Sequence, residues 1–305
     1  MGARVPFAPM SSMLPALRGT FASVTLALNT LVGVAAMFPF ALAKLLLPFT
    51  PVRHVTDRAL NAIATGWIGV NSTWMDWVGT TRWDVQGLQG LEARGWYLVS
   101  SNHQSWVDIL VLQKIFNRRI PMLKFFLKKE LIWVPVIGLA WWALDFPFMQ
   151  RRGGASSAQD LERARKACEK FRVVPTSVFN FPEGTRFTRA KHDAQGSPFV
   201  HLLKPKAGGI ATALTTLGSQ FHHLLDVTIV YPDGPPDFWT LLSGRLRAVT
   251  VRVQAREIPA ELLAGDYAAD PTFRTRMQDW INELWTEKDA LIATLRGKAP
   301  ESVAS

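Results

Sequence analysis

Cysteine is nearly absent from this 305-residue chain, and the single one, Cys168, excludes a disulfide framework and any cysteine-based zinc site. A lone thiol also fits a reducing compartment. Charge is sparse: Asp, Glu, Lys and Arg make up 19% against 48% apolar residues, which excludes a disordered chain and a coiled coil. No internal repeat and no low-complexity tract is present. Acidic side chains are the scarcer sign, 24 against 34 basic, a net charge of +10. Such a surplus needs a polyanion to face: nucleic acid, an anionic membrane surface or a phosphorylated substrate. From Thr20 to Ala43 charge is missing for 24 residues, a segment for which a nucleic-acid-binding domain has no use. The bilayer is favoured, and no nucleic-acid partner is expected.

Thr20–Ala43 is long enough to cross a hydrocarbon core, which takes about 20 helical residues. It exceeds a signal-peptide core and lacks an A-x-A-like cleavage site, so it reads as retained. Pro39 is expected to kink this helix, and Pro48 and Pro51 to end it. A second segment, Ala59–Met75, carries no charge, and Thr56 or Asp57 could cap it. Trp67, Trp74 and Trp77 are expected on one face of it, at headgroup level. Nine of the 12 tryptophans precede residue 143, which puts the membrane interface in the first half. Residues 1–80 thus predict a membrane-anchoring helix hairpin in one leaflet, or one span plus an interfacial helix. A buried hairpin of a soluble protein is the alternative. The flanking Arg4, Arg18, Lys44 and Arg53 leave its orientation open.

Residues 81–295 read as an α/β domain, with a disordered tail over 296–305. Strands are predicted at Trp96–Ser100, Thr176–Phe181, Val227–Tyr231 and, with a basic outer face, Val249–Arg256. Helices are predicted at Trp106–Phe116, around Leu161–Phe171, at Gly208–Leu217 and over Phe273–Leu284. Alternating strands and helices argue for a mostly parallel central sheet covered by helices on both sides.

Two strand ends carry chemistry. After the first comes Ser101-Asn102-His103-Gln104-Ser105-Trp106-Val107-Asp108. A histidine suits proton removal from a hydroxyl near neutral pH, if a carboxylate holds its far ring nitrogen. A helix starting near Ser105 would swing Asp108 back toward His103. As bare spacing, H-x-x-x-x-D is weak. After the second strand comes Phe181-Pro182-Glu183-Gly184-Thr185-Arg186, where glycine relaxes the backbone and arginine presents a fork suited to phosphate. An ordinary turn with a salt-bridged arginine is the alternative. Lys204 and Lys206, before Gly208-Gly209, could touch phosphate or form a plain basic face. Lys191-His192-Asp193 reads as a loop. His222, His223 and Asp226 read as a solvated turn rather than a metal site, and Trp141-Trp142 as core rather than an acyl groove.

Together the blocks resemble the glycerolipid acyltransferase superfamily, of the lysophosphatidic acid (1-acyl-sn-glycerol-3-phosphate) acyltransferase type. Its first signature is matched by Asn102–Asp108 and its third by Phe181–Arg186. Leu127-Lys128-Lys129 through Gly138 is similar to the segment after the histidine block. Phe148-Met149-Gln150-Arg151 matches the second block's F-x-x-R, with Gln150 replacing the common acidic residue. Thr188–His192 and Leu203–Gly209 resemble the lysocardiolipin acyltransferase branch, and Val227–Val230 the apolar fourth block. The resemblance implies a membrane enzyme, in a bacterium of the inner membrane, its site facing the cytoplasm. It would move a fatty acyl group from acyl-CoA or acyl-carrier protein to the hydroxyl of a lysophospholipid acceptor, without metal or other cofactor. It implies His103 as general base and Asp108 as its orienting partner. It also implies Glu183, Gly184, Thr185, Arg186, Arg151 and Lys128 as the residues holding glycerol phosphate. No acyl-enzyme is implied, so Ser101 and Ser105 are not nucleophiles in this reading; a Ser–His pair is the rival. A lyso-aminolipid acceptor, or a catalytically idle basic protein on membrane or nucleic acid, completes the alternatives.

Overall fold

The computed structural model describes residues 10–47, 49–149, 171, 175–267 and 269–297. Arg151, most of the helix expected around Leu161–Phe171, and the tail after Gly297 lie outside the described residues.

Two helices, α1 (Met10–Leu46) and α2 (Thr50–Val78), pack side by side ahead of the sheet. Helix α1 is apolar on the outside: Leu17, Phe21, Val24, Leu28, Val32, Phe38 and Leu45 are all exposed. It is the one described helix long and apolar enough to cross a membrane. The helix runs through both Pro15 and Pro39 and stops at Leu46, ahead of Pro48. Pro51 opens α2 at its first turn, where a missing N–H has no intrahelical partner to lose. Thr56 is inside α2 rather than capping it, its hydroxyl donating back to the Val52 carbonyl at 2.9 Å.

The tryptophans of α2 do not act together. The indole of Trp67 donates to Thr30 Oγ1 on α1 at 3.2 Å, and that of buried Trp74 to Asn71 Oδ1 at 3.2 Å, while Trp77 is exposed. Asn29 completes this polar seam, its amide donating to Trp67 O and Asn71 Oδ1 at 2.9 Å each. Polar residues that weaken the apolar run therefore join the helices.

Beyond them, β1 (Arg82–Gln86), β2 (Tyr97–Ser101), α3 (Val107–Phe116), β3 (Leu123–Phe125), β4 (Leu127–Lys128), α4 (Ile137–Ala143) and β5 (Phe148–Met149) follow in order. Then come β6 (Ser177–Asn180), α5 (Arg189–Gln195), α6 (Gly208–Leu217), β7 (His223–Val230), α7 (Phe238–Leu242), β8 (Ala248–Arg256) and the closing α8 (Pro271–Gly297). Six strands form one sheet in the order β1-β8-β7-β2-β6-β3. Neighbours are parallel except β7 and β8. The expected strand at Val227 starts earlier, at His223, and β1 and β3 add to those expected.

Side chains alternate across β2: Tyr97 and Val99 face a core with Trp74, Val111 and Phe116, and Leu98 faces one with Ile210, Met277 and Trp285. Helices α6 and α8 cover the second face. Truncating one of the α8 anchors Phe273, Met277 or Ile281, all buried, would cost about 2–5 kcal/mol. The basic outer face of β8 is not simply solvated. Arg252 pairs with Asp84 of β1 at 2.7 Å, and Arg256 pairs with Glu287 of α8. The arginine holds the Asp84 carboxyl below its ordinary value.

The hairpin also docks on the domain. The Trp239 ring of α7 lies so close to Gly19 of α1 that a Cβ there would meet it at 2.5 Å. Lys44 of α1 bridges Asp57 of α2 at 2.7 Å and also pairs with Asp145, after α4.

Candidate active site

Register brings the two chemical loops together. Ser100 of β2 faces Asn180 of β6, so the chain leaves both strands at the same edge, as ligand-binding loops of parallel sheets do. On the other side β7 runs on past β2. Asn102 fastens to it edge-on: its Nδ2 donates to Ile229 O at 2.9 Å, and its Oδ1 accepts from Ile229 N at 2.8 Å. The turn into α3 begins from a fixed point.

Asp108, in the first turn of α3, is fully buried and returns beneath the loop. Its Oδ2 accepts Gln104 N at 2.7 Å and Ser105 N at 2.9 Å, and lies 2.9 Å from His103 Nδ1. Its Oδ1 accepts the Tyr231 hydroxyl at 2.6 Å. An oxygen already facing two N–H donors is an acceptor, so Nδ1 of His103 carries the proton and Nε2 presents its lone pair. The His103 side chain is 11% exposed, and Nε2 has no hydrogen-bond partner among the described residues.

The ring is fixed as tightly as its tautomer. Phe181 stacks on it with centroids 3.8 Å apart and planes 11° apart. The His103 backbone is gripped from both sides, its N–H by Glu183 Oε1 at 2.7 Å and its carbonyl by Phe187 N at 2.7 Å.

Glu183 is thus in a different position from the one expected of a phosphate-binding residue. It is buried, and its other oxygen accepts Leu203 N at 2.9 Å. Both oxygens are committed to main chain, tying the third block to the first. Burial pushes its carboxyl up to about 8, against the pull of those two N–H donors.

The rest of the turn is open. Gly184 has φ +68°, a conformation that residues with a Cβ resist, and its N–H donates to Phe181 O at 2.9 Å. The Lys206 ammonium stands 3.9 Å from where a Gly184 Cβ would be, and Lys206 N donates to Pro182 O at 2.9 Å. Thr185 Oγ1 accepts from Lys191 Nζ at 2.8 Å, and the same ammonium reaches Arg186 O at 3.0 Å. Lys191 therefore belongs to a short helix, α5, capped by Thr188, and not to a loop. The exposed Arg186 guanidinium lies 4.8 Å over the Trp106 ring. Three cations gather about one glycine turn beside the histidine. Lys128 is in β4, parallel to β5, which carries Phe148 and Met149.

The other candidates separate out. Ser105 Oγ donates to Pro236 O at 2.5 Å and Ser101 Oγ to Asn102 O at 3.0 Å, so neither hydroxyl is bonded to His103. His222 and His223 are exposed, whereas Asp226 is buried against Lys288 of α8 at 2.6 Å. No group of three metal-ligating side chains exists among the described residues. Tyr231 escaped sequence reasoning; the only signal was its place at the end of an apolar strand.

Residues 82–231 match the family model described as Acyltransferase. The 1-acyl-sn-glycerol-3-phosphate acyltransferase delta of Homo sapiens is 28% identical over 207 residues, 63% of this chain and 51% of that protein. The gamma protein of Mus musculus is 30% identical over 206 residues, 64% of this chain and 52% of that protein. The chain spans about half the length of the curated relatives it matches. The crystal structure of the 1-acyl-sn-glycerophosphate (LPA) acyltransferase PlsC from Thermotoga maritima shares the fold. Its TM-score is 0.56 at 15% identity, covering 94% of this chain and 100% of that one.

The segment from β1 to Tyr231 is therefore an acyltransferase domain. The chain that carries it is similar in sequence to 1-acyl-sn-glycerol-3-phosphate acyltransferases and shares its fold with PlsC.

Proposed function

We propose that this protein is a membrane-bound 1-acylglycerol-3-phosphate O-acyltransferase. It moves a fatty acyl group from an acyl-CoA or acyl-carrier-protein thioester to the free hydroxyl of a lysophospholipid, giving phosphatidic acid and a thiol. The observation that carries this reading is the His103–Asp108 pair, with Nδ1 bonded inward and Nε2 unbonded beside a cationic turn.

Nε2 takes the proton of the acceptor hydroxyl as its oxygen attacks the thioester carbonyl. The imidazolium that forms is stabilised by the Asp108 carboxylate. The tetrahedral intermediate then collapses, the C–S bond breaks, and the departing sulfur takes the proton back from Nε2. The acyl group passes directly to the acceptor, with no acyl-enzyme. Arg186 and Lys206 hold the acceptor phosphate, Thr185 and Gly184 shape the turn that presents them, and Glu183 fixes that turn to the base. Arg151 and Lys128 are assigned to the acceptor by family resemblance alone.

The exposed apolar surface of α1 supports membrane attachment. At about 1.5 Å per residue its 37 residues extend roughly 55 Å, well beyond a hydrocarbon core of about 30 Å. A helix of that length packed along α2 suits an oblique or in-plane seat in one leaflet. The site faces the cytoplasm, where the thioester donors are.

The test is thiol release from acyl-CoA by detergent-purified protein given lysophosphatidate. His103→Ala is expected to abolish release while membrane association persists. Undiminished turnover in that variant removes His103 as the base.

A further inference from the structure

The opposite end of the sheet holds a second cationic site. A cavity of about 820 Å³ opens between α2, the end of α3, the turn before β2 and the chain entering β3. Arg58, Arg94, Arg118 and His54 line it. Its one carboxylate, Asp57, is already paired with Lys44 at 2.7 Å. Among the described residues the three arginines have no ion-pair partner, whereas Arg252 and Arg256 both have one. A further lining residue, Gln113, ends in an amide whose Oε1 is buried with no hydrogen-bond partner. Amide orientation is an assignment, so either end of that group could meet a ligand.

This cavity is not an extension of the acyl-transfer site. Asp108 opens α3 and Gln113 stands toward its other end, as the chain runs on to Arg118. Along α3 the rise from Asp108 is about 7.5 Å to Gln113 and about 12 Å to Phe116, which also lines the cavity. Three unpaired guanidiniums around one hollow have the chemistry of a phosphate clamp, since the planar fork matches phosphate oxygens two at a time. The surroundings favour a lipid source: Val55, next to His54, and Phe49, just before α2, are exposed, as are Leu45 and Leu46 at the end of α1.

We infer that Arg58, Arg94 and Arg118 form a second binding site for a phosphate-bearing anion, remote from the catalytic histidine, which receives the headgroup of an anionic phospholipid. A headgroup seated there holds the domain against the bilayer at the end of the hairpin distant from the site of chemistry.

Binding is measured on full-length protein in detergent carrying Arg186→Ala, which weakens the proposed acceptor site and keeps the two readings separable. The probes are short-chain phosphatidylglycerol, short-chain phosphatidylcholine and inorganic pyrophosphate. The parent is expected to bind phosphatidylglycerol in preference to phosphatidylcholine. Arg58→Ser/Arg94→Ser/Arg118→Ser should weaken that binding by about tenfold or more. Pyrophosphate binding lost in the triple variant, without any preference between the lipids, assigns the site to a soluble phosphate and removes the lipid source. Arg94→Ser alone, at an exposed turn, keeps the test open if the triple variant does not fold, and should weaken binding by a few-fold. Unchanged affinities in these variants, or no binding of any probe by the parent, overturns the site.

Discussion

The two signature loops leave adjacent strands at one edge of the sheet, yet they are finished differently. In the first, both oxygens of the carboxylate behind the histidine are used: Asp108 meets four donors and has no exposure. In the second, Pro182 and Glu183 are buried, whereas Gly184 and Arg186 are exposed and Thr185 is half-buried. A proton-transferring group must be oriented before substrate arrives, because reorganisation during the reaction adds to the barrier. An anion-binding turn can wait, because the ligand itself supplies the missing partners. Glu183 joins the two regimes, since it belongs to the open turn by sequence and to the closed loop by its bonds.

The sharpest way to break this contrast is at its closed end. In Asp108→Asn an amide NH₂ takes the place either of Oδ2, facing two backbone N–H groups and the His103 Nδ1 proton, or of Oδ1, facing Tyr231. The first loses the tautomer that exposes a basic Nε2, and both remove the carboxylate charge that stabilises the imidazolium. The expected fall in kcat is on the order of 10³-fold or more. A loss below about tenfold in the thiol-release assay would mean that Asp108 does not set the tautomer.

Glu183→Gln attacks the junction. Gln has one acceptor oxygen where Glu183 serves two N–H donors, so one buried donor is stranded at a cost of about 1–3 kcal/mol. The variant should lose thermal stability and kcat together. A carboxyl lifted from 4.5 to about 8 in the fold stabilises it most below pH 4.5 and surrenders that stabilisation as pH rises to about 8. The stability difference between wild type and Glu183→Gln should therefore shrink over that window. Parallel stability curves would place the Glu183 carboxyl at its ordinary value.

Much of the closed loop was legible in sequence, because a five-residue spacing between strand end and first helical turn is local. Its fourth donor was not. Tyr231 lies 123 residues from Asp108, and only the placing of β7 beside β2 makes them neighbours. Glu183 was misread for a related reason: backbone N–H groups leave no mark in sequence, so a carboxylate in a glycine turn looks ligand-facing. Strand β3 hid behind Lys124, buried within a three-residue strand with its ammonium 4.6 Å over the Phe171 ring. Tyr231→Phe tests the non-local partner. Burial and Asp108 push the Tyr231 hydroxyl well above its ordinary value, so it remains a donor across the working range. Removing one hydrogen bond to a charged group, at about 1.5–3 kcal/mol, should lower kcat by roughly tenfold or more with acceptor KM unchanged. A variant changed in KM alone would move Tyr231 from the base to the acceptor.

The mildest effect is expected at the open end, where Trp106 and Arg186 meet. Trp106 is 57% exposed and shares no bond with the His103–Asp108 pair, although it stands between them in sequence. Its ring instead lies under the Arg186 guanidinium at 4.8 Å. A cation–π contact at an exposed position contributes about 0.5–1 kcal/mol, so Trp106→Leu should raise the KM for lysophosphatidate by about two- to fivefold with kcat unchanged. Trp106→Phe, which keeps an aromatic face, should recover part of that loss. The series separates the halves of the site: a kcat effect from Trp106→Leu would show that the two loops are one rigid unit, and a pure KM effect that acceptor capture is adjustable while the base stays fixed.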